Sequence, residues 1–161
     1  MADAPEDPVA SDEQVYRTFF DKVGWWDSIK RSVYRQAFEP SDADTNGLSV
    51  VRARFHTPLQ VAAIKHRERL ARNKAAEPLV VVEVSVAALR EKGLDVVPDP
   101  LPEIPGHAVI PLLNNTQKKG QVGKQRQLDA VASCIKIHGP FDVATLDDEV
   151  QRSADKGRHD A

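Results

Sequence analysis

Four stretches of alternating or continuous apolar positions predict strands. Residues 32–38 (SVYRQAF) and 48–55 (LSVVRARF) alternate, as strands with one buried face do. Residues 78–86 (PLVVVEVSV) are rich in β-branched side chains, which predicts a strand in a central position. Residues 107–113 (HAVIPLL) predict a further strand whose end is set by Pro111.

Helix signals lie between these stretches. Residues 58–74 predict the longest helix, because Thr57 can cap it and Pro58 suits its first position. Residues 124–137 repeat apolar positions at a helical period and predict an amphipathic helix. The buried face of that helix is expected to carry Leu128, Val131 and Ile135. Shorter helices are predicted within residues 14–31, with a break at Gly24, within residues 86–92 and after residue 142.

Strands and helices in this order predict a single α+β domain. We expect a small mixed β-sheet of four or five strands, packed by three or four helices. Composition divides the chain further, because residues 1–13 contain five acidic residues and no Lys or Arg. They are predicted to form an acidic disordered tail, residues 14–142 the globular domain, and residues 143–161 a short helix and a frayed acidic tail.

Composition also bears on location. No apolar run approaches the roughly 20 residues that span a bilayer, so we expect no membrane association. The acidic first residues lack the pattern of a secretory signal. The single cysteine, Cys134, excludes an intramolecular disulfide and is expected to be a buried, inert thiol. Together these features predict a protein of the reducing cytoplasm.

Basic residues concentrate in two segments. Residues 50–75 hold seven Lys and Arg against one acid, and residues 113–138 hold five against one. If the two segments lie side by side, they form a patch that attracts phosphate groups. The candidates are Lys65, Arg69, Arg72, Lys118, Lys119 and Lys124. The alternative interpretation is a solvated helix face beside an ordinary polar loop, and no aromatic residue is interleaved for base stacking.

A proline-rich segment supplies the strongest candidate for acid–base chemistry. His107 begins a strand directly after residues 96–106, and Asp99 in that segment can orient its ring. Candidate partners are Arg35 and Arg52, which can hold phosphate, and Ser49, which can position a substrate. The alternative is a structural histidine whose ring bonds back to Asp99 or to the loop backbone.

Familiar catalytic signatures are missing from the chain. It contains no glycine-rich phosphate loop, no G-x-S-x-G, no zinc-finger spacing and no H-E-x-x-H. These absences disfavour nucleotide hydrolysis, the common hydrolases and zincins, although they do not exclude an enzyme, and we expect neither a metal nor a cofactor. The adjacent Trp25 and Trp26 cannot share one face of a helix or a strand. One is expected in the core, and a partly exposed one is a candidate contact for a protein partner.

Two stretches together resemble a family of small bacterial proteins. These proteins have an F-then-L-S-V segment followed by a D-P-x-P-x-x-P-x-H-A loop and an apolar strand. The match covers about residues 33–110, and its positions here are Phe38, Leu48, Ser49, Val50, Gly93, Asp99, Pro100, Pro102, Pro105, His107 and Ala108. This chain has Gly106 before the histidine, where alanine is commoner in the family. The family has no settled activity, so the resemblance implies a bacterial cytosolic protein and no particular chemistry.

Three functions follow from these observations as hypotheses. The first is a non-enzymatic binding or accessory protein with a protein partner, in a defence, toxin–antitoxin or mobile-element system. The second is a small enzyme acting on a nucleotide, RNA or an NAD-like phosphate compound, with His107 as its acid–base group. The third is a nucleic-acid-binding protein that uses the basic segments 65–74 and 118–126.

Overall fold

A six-stranded sheet forms the centre of the computed structural model, which describes residues 4–116 and 120–160, with side chains up to residue 156. The strands are β1 (Gln14–Phe20), β2 (Trp26–Asp27), β3 (Ser32–Val33), β4 (Leu48–Arg52), β5 (Leu79–Ser85), β6 (Val97–Pro98), β7 (His107–Ile110) and β8 (Cys134–Phe141). The main sheet has the order β6-β7-β4-β1-β5-β8, and β2 pairs with β3 in a small separate sheet. All of these pairings are antiparallel.

Helices cover both faces of the main sheet. They are α1 (Pro58–Ala71), α2 (Val86–Glu91), α3 (Gln121–Val131) and α4 (Val143–Asp160), with a 3-10 helix at Arg35–Phe38. Helices α1 and α4 pack on the face that carries Tyr16, Val51 and Val81. The opposite face carries Val15, Val50 and Val82, and it is covered by α2, the end of α3 and the 3-10 helix.

The predicted α+β class is confirmed. The sheet differs in detail from the expectation, since it has six strands instead of four or five and is antiparallel instead of mixed. Helix α1 begins at the predicted position, where Thr57 and Gln60 form a capping box. Strand β5 is an interior strand as predicted, because β1 and β8 pair with its two edges.

Residues 14–20 form a strand, so the helix predicted there is wrong. Strand β1 is hydrogen-bonded to β5 over its whole length of seven residues. Its alternate side chains enter both cores, with Phe19 on one face and Tyr16 and Phe20 on the other. A strand with both faces covered has no polar stripe, so its aromatic residues fit a helical period equally well.

The helix predicted over residues 124–137 is also wrong in its second half. Helix α3 ends at Val131, and Cys134 begins β8, which pairs with β5. Leu128 and Ile135, predicted to be buried, are 48% and 53% exposed. The buried positions of α3 are instead Gly123, Gln127 and Ala130. Tertiary pairing with β5 therefore overrides the local helical pattern in residues 134–137.

The strand predicted over residues 32–38 is confined to Ser32–Val33, and a 3-10 helix follows it. Ala37 and Phe38 at the end of this helix are buried in the core. The chain then runs through a turn to Gly47, directly before β4. This route carries the loop of residues 39–47 along the edge of the candidate site.

Packing extends beyond the globular body that composition predicts. Val9 is only 3% exposed, and Glu13 is paired with Arg52 inside the structure. Near the other end, α4 contacts α1 and buries Leu146. The acidic composition of these segments therefore coexists with specific contacts within the described residues.

The edge strand β8 carries an unusual side-chain contact. Arg31 donates hydrogen bonds from its Nη2 to the carbonyl oxygens of Ile137 and Gly139, at 3.0 and 3.3 Å. Its guanidinium also lies 5.5 Å from the ring centroid of Trp26.

None of the helices in the described parts of the chain has the length and hydropathy that crossing a membrane requires.

Candidate active site

The main sheet opens between β1 and β4. These strands pair only at Val15 with Arg52 and Tyr16 with Val51, whereas β1 pairs with β5 along its whole length. Beyond Tyr16, β1 and β4 therefore separate, and a cavity of about 370 Å³ lies between them and α1. That volume lies within the range typical of small-molecule sites. Ser49 and His107 both line this cleft.

Register explains why Ser49 and His107 meet. In the pairing of β4 with β7, Val51 lies opposite His107 and Ser49 lies opposite Val109. The two residues are thus diagonal neighbours on one face of an antiparallel pair, a separation that longer side chains can span. The Nε2 atom of His107 lies 3.1 Å from the Ser49 hydroxyl oxygen. His107 itself is buried.

Asp99 holds the other side of the imidazole ring. The Nδ1 atom of His107 lies 2.9 Å from the main-chain oxygen of Asp99 and 3.3 Å from its carboxylate oxygen Oδ2. Because a carbonyl oxygen only accepts hydrogen bonds, Nδ1 carries a hydrogen and donates it. In the neutral ring, Nε2 is then an acceptor, and the Ser49 hydroxyl donates to it. A contact between Asp99 and His107 is thus present, and it fits both the orienting role predicted for Asp99 and the alternative of a structural histidine that bonds back to its own loop.

The proline-rich segment is tied down on several sides. The Asp99 amide donates to the His107 carbonyl oxygen, and Leu101 and Ile104 exchange main-chain hydrogen bonds. The Gly106 carbonyl oxygen accepts from Arg52 in β4, and the Gly106 amide donates to His56 Nε2 at 3.2 Å. This segment therefore presents Asp99 in a fixed position, which a group that orients a histidine must have.

Asp44 is a second acid close to the serine. Its Oδ1 lies 3.4 Å from the Ser49 hydroxyl oxygen, while its Oδ2 accepts from the Ser41 amide at 2.7 Å and the Ser41 hydroxyl at 3.2 Å. The Asp44 carboxylate is buried, and it lines the cleft together with Ser41. Asp44 lies in residues 39–47 (EPSDADTNG), a composition typical of turns, and its turn contacts with Ser41 are present beside the contact with Ser49.

Arg17 is the cation closest to this chain of hydrogen bonds. Its Nε donates to the carbonyl oxygen of Ala37 and its Nη1 to that of Ser49, both at 3.1 Å. Among the described residues, Arg17 forms no ion pair with a carboxylate. Burial lowers the pKa of Arg17 from its ordinary value, and the Asp44 charge acts in the opposite direction. Both hydrogen bonds go to neutral oxygens, so the positive charge of Arg17 is incompletely balanced.

Lys65 brings a second positive charge to the same cleft from α1. Burial lowers its pKa, and the neighbouring charges of Arg17, Arg69 and Arg72 lower it further, while Glu68 opposes them. Within the part of the chain that the structure describes, Lys65 has no ion-pair partner. The cleft also contains the Thr18 hydroxyl, whose buried oxygen has no hydrogen-bond partner among the described residues. Three cations, Arg17, Lys65 and Arg72, thus line the same cleft as this hydroxyl.

The two arginines that are predicted to hold phosphate, Arg52 and Arg35, do not line this cleft. Arg52 is fully buried and paired with Glu13, with Nε to Oε1 at 2.9 Å and Nη2 to Oε2 at 2.8 Å. Its Nη1 donates to the carbonyl oxygens of Pro5 and Asp7. Arg35 lines a separate shallow depression with Tyr34 and Leu128. Arg52 is therefore a structural residue, and the structure does not bring Arg35 to His107.

Arg17 was missed because sequence reasoning treated its segment as a helix. A signal was available, since Arg17 lies within an otherwise apolar and aromatic run, VYRTFF. A charged residue inside a strand with both faces covered needs a partner or a ligand. Arg17 becomes a candidate site residue only once its segment is recognised as a strand.

The described basic residues do not form a single patch. Lys65 and Arg72 line the cleft beside α1, while Arg69 is engaged with the Glu77 carboxylate at 2.8 Å and lies 4.5 Å from the Phe20 ring centroid. Lys124 is on α3, and α1 and α3 pack on opposite faces of the sheet. Lys118 and Lys119 lie outside the described residues.

The two tryptophans have different environments. Trp26 is in the core and donates from its indole nitrogen to Asp21 at 2.8 Å. Trp25 is half-buried, and its ring makes an edge contact with Phe20, with the centroids 5.8 Å apart. One tryptophan is thus buried and the other partly exposed, as their adjacency predicts. Trp25 and Phe20 belong to the aromatic part of the cleft wall, which also includes Tyr16 and Phe19.

Cys134 lies outside this site, in the first position of β8. Burial raises the pKa of its thiol to about 12, which makes it a poor nucleophile at neutral pH.

In residues 4–116 and 120–156, no group of three or more His, Cys, Asp or Glu is arranged to hold a metal ion. Comparisons with family models, curated proteins and solved structures gave no match to this chain.

Proposed function

We propose that the protein is a cytoplasmic enzyme that acts on a phosphate-bearing compound and uses His107 as its acid–base group. The observation that carries this proposal is that His107 contacts Asp99 on one side and Ser49 on the other, and that His107 and Ser49 line a cleft together with Arg17. A histidine with an orienting acid on one nitrogen and a hydroxyl on the other is arranged for proton transfer.

The charges of the cleft favour an anionic substrate. Arg17 and Lys65 have no carboxylate partner among the described residues, and a phosphate group would balance both. The lining also contains the acids Glu39, Asp44 and Glu68. Asp44 is occupied by Ser41 and Ser49, and Glu68 acts electrostatically on Lys65. The lining thus carries three cations, Arg17, Lys65 and Arg72, against these three acids, so the support for an anionic substrate comes from the position of Arg17 beside Ser49 and not from an excess of positive charge.

The aromatic wall favours a substrate with an apolar or planar part. Phe20 and Trp25 line the same cleft as Arg17. A planar base can contact the half-buried Trp25 while its phosphate binds the cations, whereas the Phe20 ring is already contacted by Arg69 and Lys22. This combination supports the phosphate-compound alternatives of the sequence hypotheses, namely a nucleotide, RNA or an NAD-like compound.

The test is conversion of a defined set of phosphate compounds by the purified chain. Mononucleotides, a dinucleotide and a short RNA are incubated with wild type and with His107→Ala, and products are followed by phosphorus NMR and liquid chromatography. We expect one compound to be converted by wild type, with a loss of about 10²–10⁴-fold in the variant. His138→Gln is a matched control, because His138 contacts Glu83 and is not part of the cleft lining.

Two results contradict the proposal. One is equal conversion by wild type and by a folded His107→Ala variant. The other is the absence of both conversion and binding for every compound of the set. Circular dichroism and the melting temperature of each variant show whether it is folded.

The other two hypotheses stay predictions. A bacterial accessory protein with a protein partner in a defence, toxin–antitoxin or mobile-element system is supported less directly, since Trp26 is buried and Trp25 faces the cleft. Nucleic-acid binding through one basic patch is likewise weakened by the positions of Lys65 and Lys124. Retention on RNA and DNA at low ionic strength, compared with high salt, tests the latter directly.

A further inference from the structure

We infer that Ser49 is the nucleophile of this cleft and that it takes a phosphoryl group from the substrate in a covalent intermediate. The inference rests on the proposed function and adds a role for Ser49 that substrate positioning alone does not require. It is carried by the contacts of Ser49 with His107 and Arg17.

The hydrogen-bond directions place the proton of Ser49 toward a base. Because Nδ1 of His107 donates to the main-chain oxygen of Asp99, Nε2 of the neutral ring has a free lone pair. That lone pair lies 3.1 Å from the Ser49 oxygen. A hydroxyl that donates to an oriented histidine is the arrangement that activates serine nucleophiles.

The Asp44 carboxylate is a second acceptor within reach of the Ser49 hydroxyl, and it competes with His107 for the same proton. The Ser49 oxygen lies 3.4 Å from Asp44 Oδ1, a longer contact than the one to His107. The second oxygen of Asp44 is held by Ser41. Ser41 provides a useful contrast, because its hydroxyl also lines the cleft but contacts Asp44 and not the histidine.

The surroundings of Ser49 suit the charge that develops during phosphoryl transfer. Arg17 Nη1 is bonded to the main-chain oxygen of Ser49 itself, so a fixed positive charge lies beside the nucleophile. Lys65 lines the same cleft, and so does Thr18, whose hydroxyl has no hydrogen-bond partner in the described part of the chain. Positioned cations that neutralise charge on the transferred phosphoryl oxygens supply most of the catalysis in such reactions.

The two steps balance without any further reactant except water. In the first, a bond forms between Ser49 Oγ and phosphorus, and the bond from phosphorus to the leaving oxygen breaks. His107 takes the proton of Ser49 at Nε2 and gives it to the leaving oxygen. In the second, water attacks the phosphoserine, its proton passes to Nε2, and the bond to Ser49 breaks. Ser49 then recovers its proton from the histidine, and phosphate leaves.

A serine-directed phosphorylating reagent tests this inference without knowledge of the natural substrate. Diisopropyl fluorophosphate loses fluoride when a serine oxygen attacks its phosphorus, and the adduct is located by mass spectrometry of peptides. We expect a single adduct on Ser49 in wild type and in Ser41→Ala. No adduct is expected in Ser49→Ala. In His107→Ala the labelling rate should fall about 10²–10⁴-fold, because the serine keeps its proton.

A second variant protects the test against a folding failure. Ser49→Cys keeps a nucleophile of similar size, and iodoacetamide should alkylate it at neutral pH much faster than it alkylates Cys134. The raised pKa of Cys134 makes that residue an internal reference. Addition of His107→Ala to Ser49→Cys should slow alkylation at position 49, since the thiolate loses its base.

The outcomes separate this inference from the proposed function. A wild-type protein that converts a phosphate compound but is not labelled on Ser49, and whose Ser49→Ala variant still converts the compound, overturns the inference and leaves the function standing. Labelling of Ser49 at equal rates with and without His107 also overturns it. Labelling of Ser49 that depends on His107, in a protein that converts no phosphate compound, supports the nucleophile and removes the substrate class.

Discussion

The Arg17 guanidinium takes the place of a missing strand pairing by donating from Nη1 to the main-chain oxygen of Ser49, 3.1 Å away. The Ala53 amide donates to the Gln14 oxygen, so odd-numbered residues of this segment turn their main-chain groups toward β1. At Ser49 the strands have already separated, and the side chain of Arg17 satisfies the carbonyl oxygen instead. Arg17 thus links β1 to β4 where the two strands separate, and it places a positive charge on the wall of the cleft.

Replacement of Arg17 should therefore weaken binding of phosphate compounds. We expect Arg17→Leu to lower the affinity for a mononucleotide about 10- to 100-fold, as loss of a hydrogen bond to a charged group predicts. Arg17→Lys should retain part of the affinity, because it keeps the charge and loses the planar donor pair. Isothermal titration calorimetry measures both, with Arg35→Ala as the control. Equal affinity of wild type and a folded Arg17→Leu protein contradicts the assignment.

The buried pair of Arg52 and Glu13 should dominate the attachment of the N-terminal segment. Glu13→Gln leaves the fully buried Arg52 without its carboxylate, and we expect a loss of about 3 kcal/mol in the free energy of unfolding. Urea denaturation followed by tryptophan fluorescence measures this loss. Asp12→Asn is the neighbouring control, because Asp12 is exposed. A change of less than about 1 kcal/mol in Glu13→Gln shows that the pair is not structural in solution.

The same pair predicts how stability depends on pH. Burial by itself raises the pKa of Glu13, but the hydrogen bonds from Arg52 and the Ala10 amide and the nearby positive charges outweigh it, so the pKa lies below 4.5. Below pH 4.5 the unfolded chain takes up this proton before the folded chain does, so stability falls as the pH drops further toward the folded-state pKa. Above pH 4.5 the contribution is complete.

Urea denaturation at a series of pH values below neutral measures this dependence. Glu13→Gln should show a weaker fall in the acid range than wild type, because the group that titrates has been removed. Curves of the same steepness for the two proteins count against a lowered pKa at Glu13.

Gly47 is the position where a methyl group should do most damage near the site. Its φ is +136°, and an added Cβ would lie 2.6 Å from the main-chain oxygen of Ile110. Because Gly47 directly precedes β4, Gly47→Ala should push β4 away from β7 and cost about 1–3 kcal/mol. Gly120→Ala is the matched control, since an added Cβ there meets nothing within 4 Å. Thermal denaturation of the two variants under identical conditions makes the comparison, and equal melting temperatures contradict the prediction.

Cys134 should be unreactive in the folded protein. With a thiol pKa raised to about 12, almost no thiolate is present at pH 8. We expect Ellman's reagent to modify Cys134 slowly in buffer and rapidly in about 6 M guanidinium chloride, which unfolds the chain. Rapid modification in buffer shows that the thiol is accessible, and it also removes Cys134 as the internal reference for the Ser49→Cys experiment.

Local signals were sufficient where one residue type decides the structure. Thr57 and Pro58 predict the start of α1, and the β-branched run predicts β5, because capping and strand propensity act over a few residues. The same reasoning fails at β1 and β8, where pairing with β5 determines the conformation. Residues 134–137 follow a helical pattern in isolation, and only the neighbouring strand makes them extended.

The candidate site was predictable only in part for a related reason. Asp99 and His107 are linked by a short rigid segment, so their contact can be expected from sequence. Ser49 and His107 meet because of the register of β4 and β7, which no local pattern specifies. Arg52 alternates onto the opposite side of β4 from Ser49 and Val51, and this parity removes it from the cleft once the register is known.

Arg31 has a consequence for the behaviour of the protein in concentrated solution. The main-chain carbonyl oxygens of an edge strand can accept hydrogen bonds from a strand of another chain, which is one route to ordered aggregation. The side chain of Arg31 already occupies the carbonyl oxygens of Ile137 and Gly139. A second molecule would have to displace the guanidinium of Arg31 before it could add a strand at β8. Arg31 therefore disfavours edge-to-edge pairing between copies of the chain.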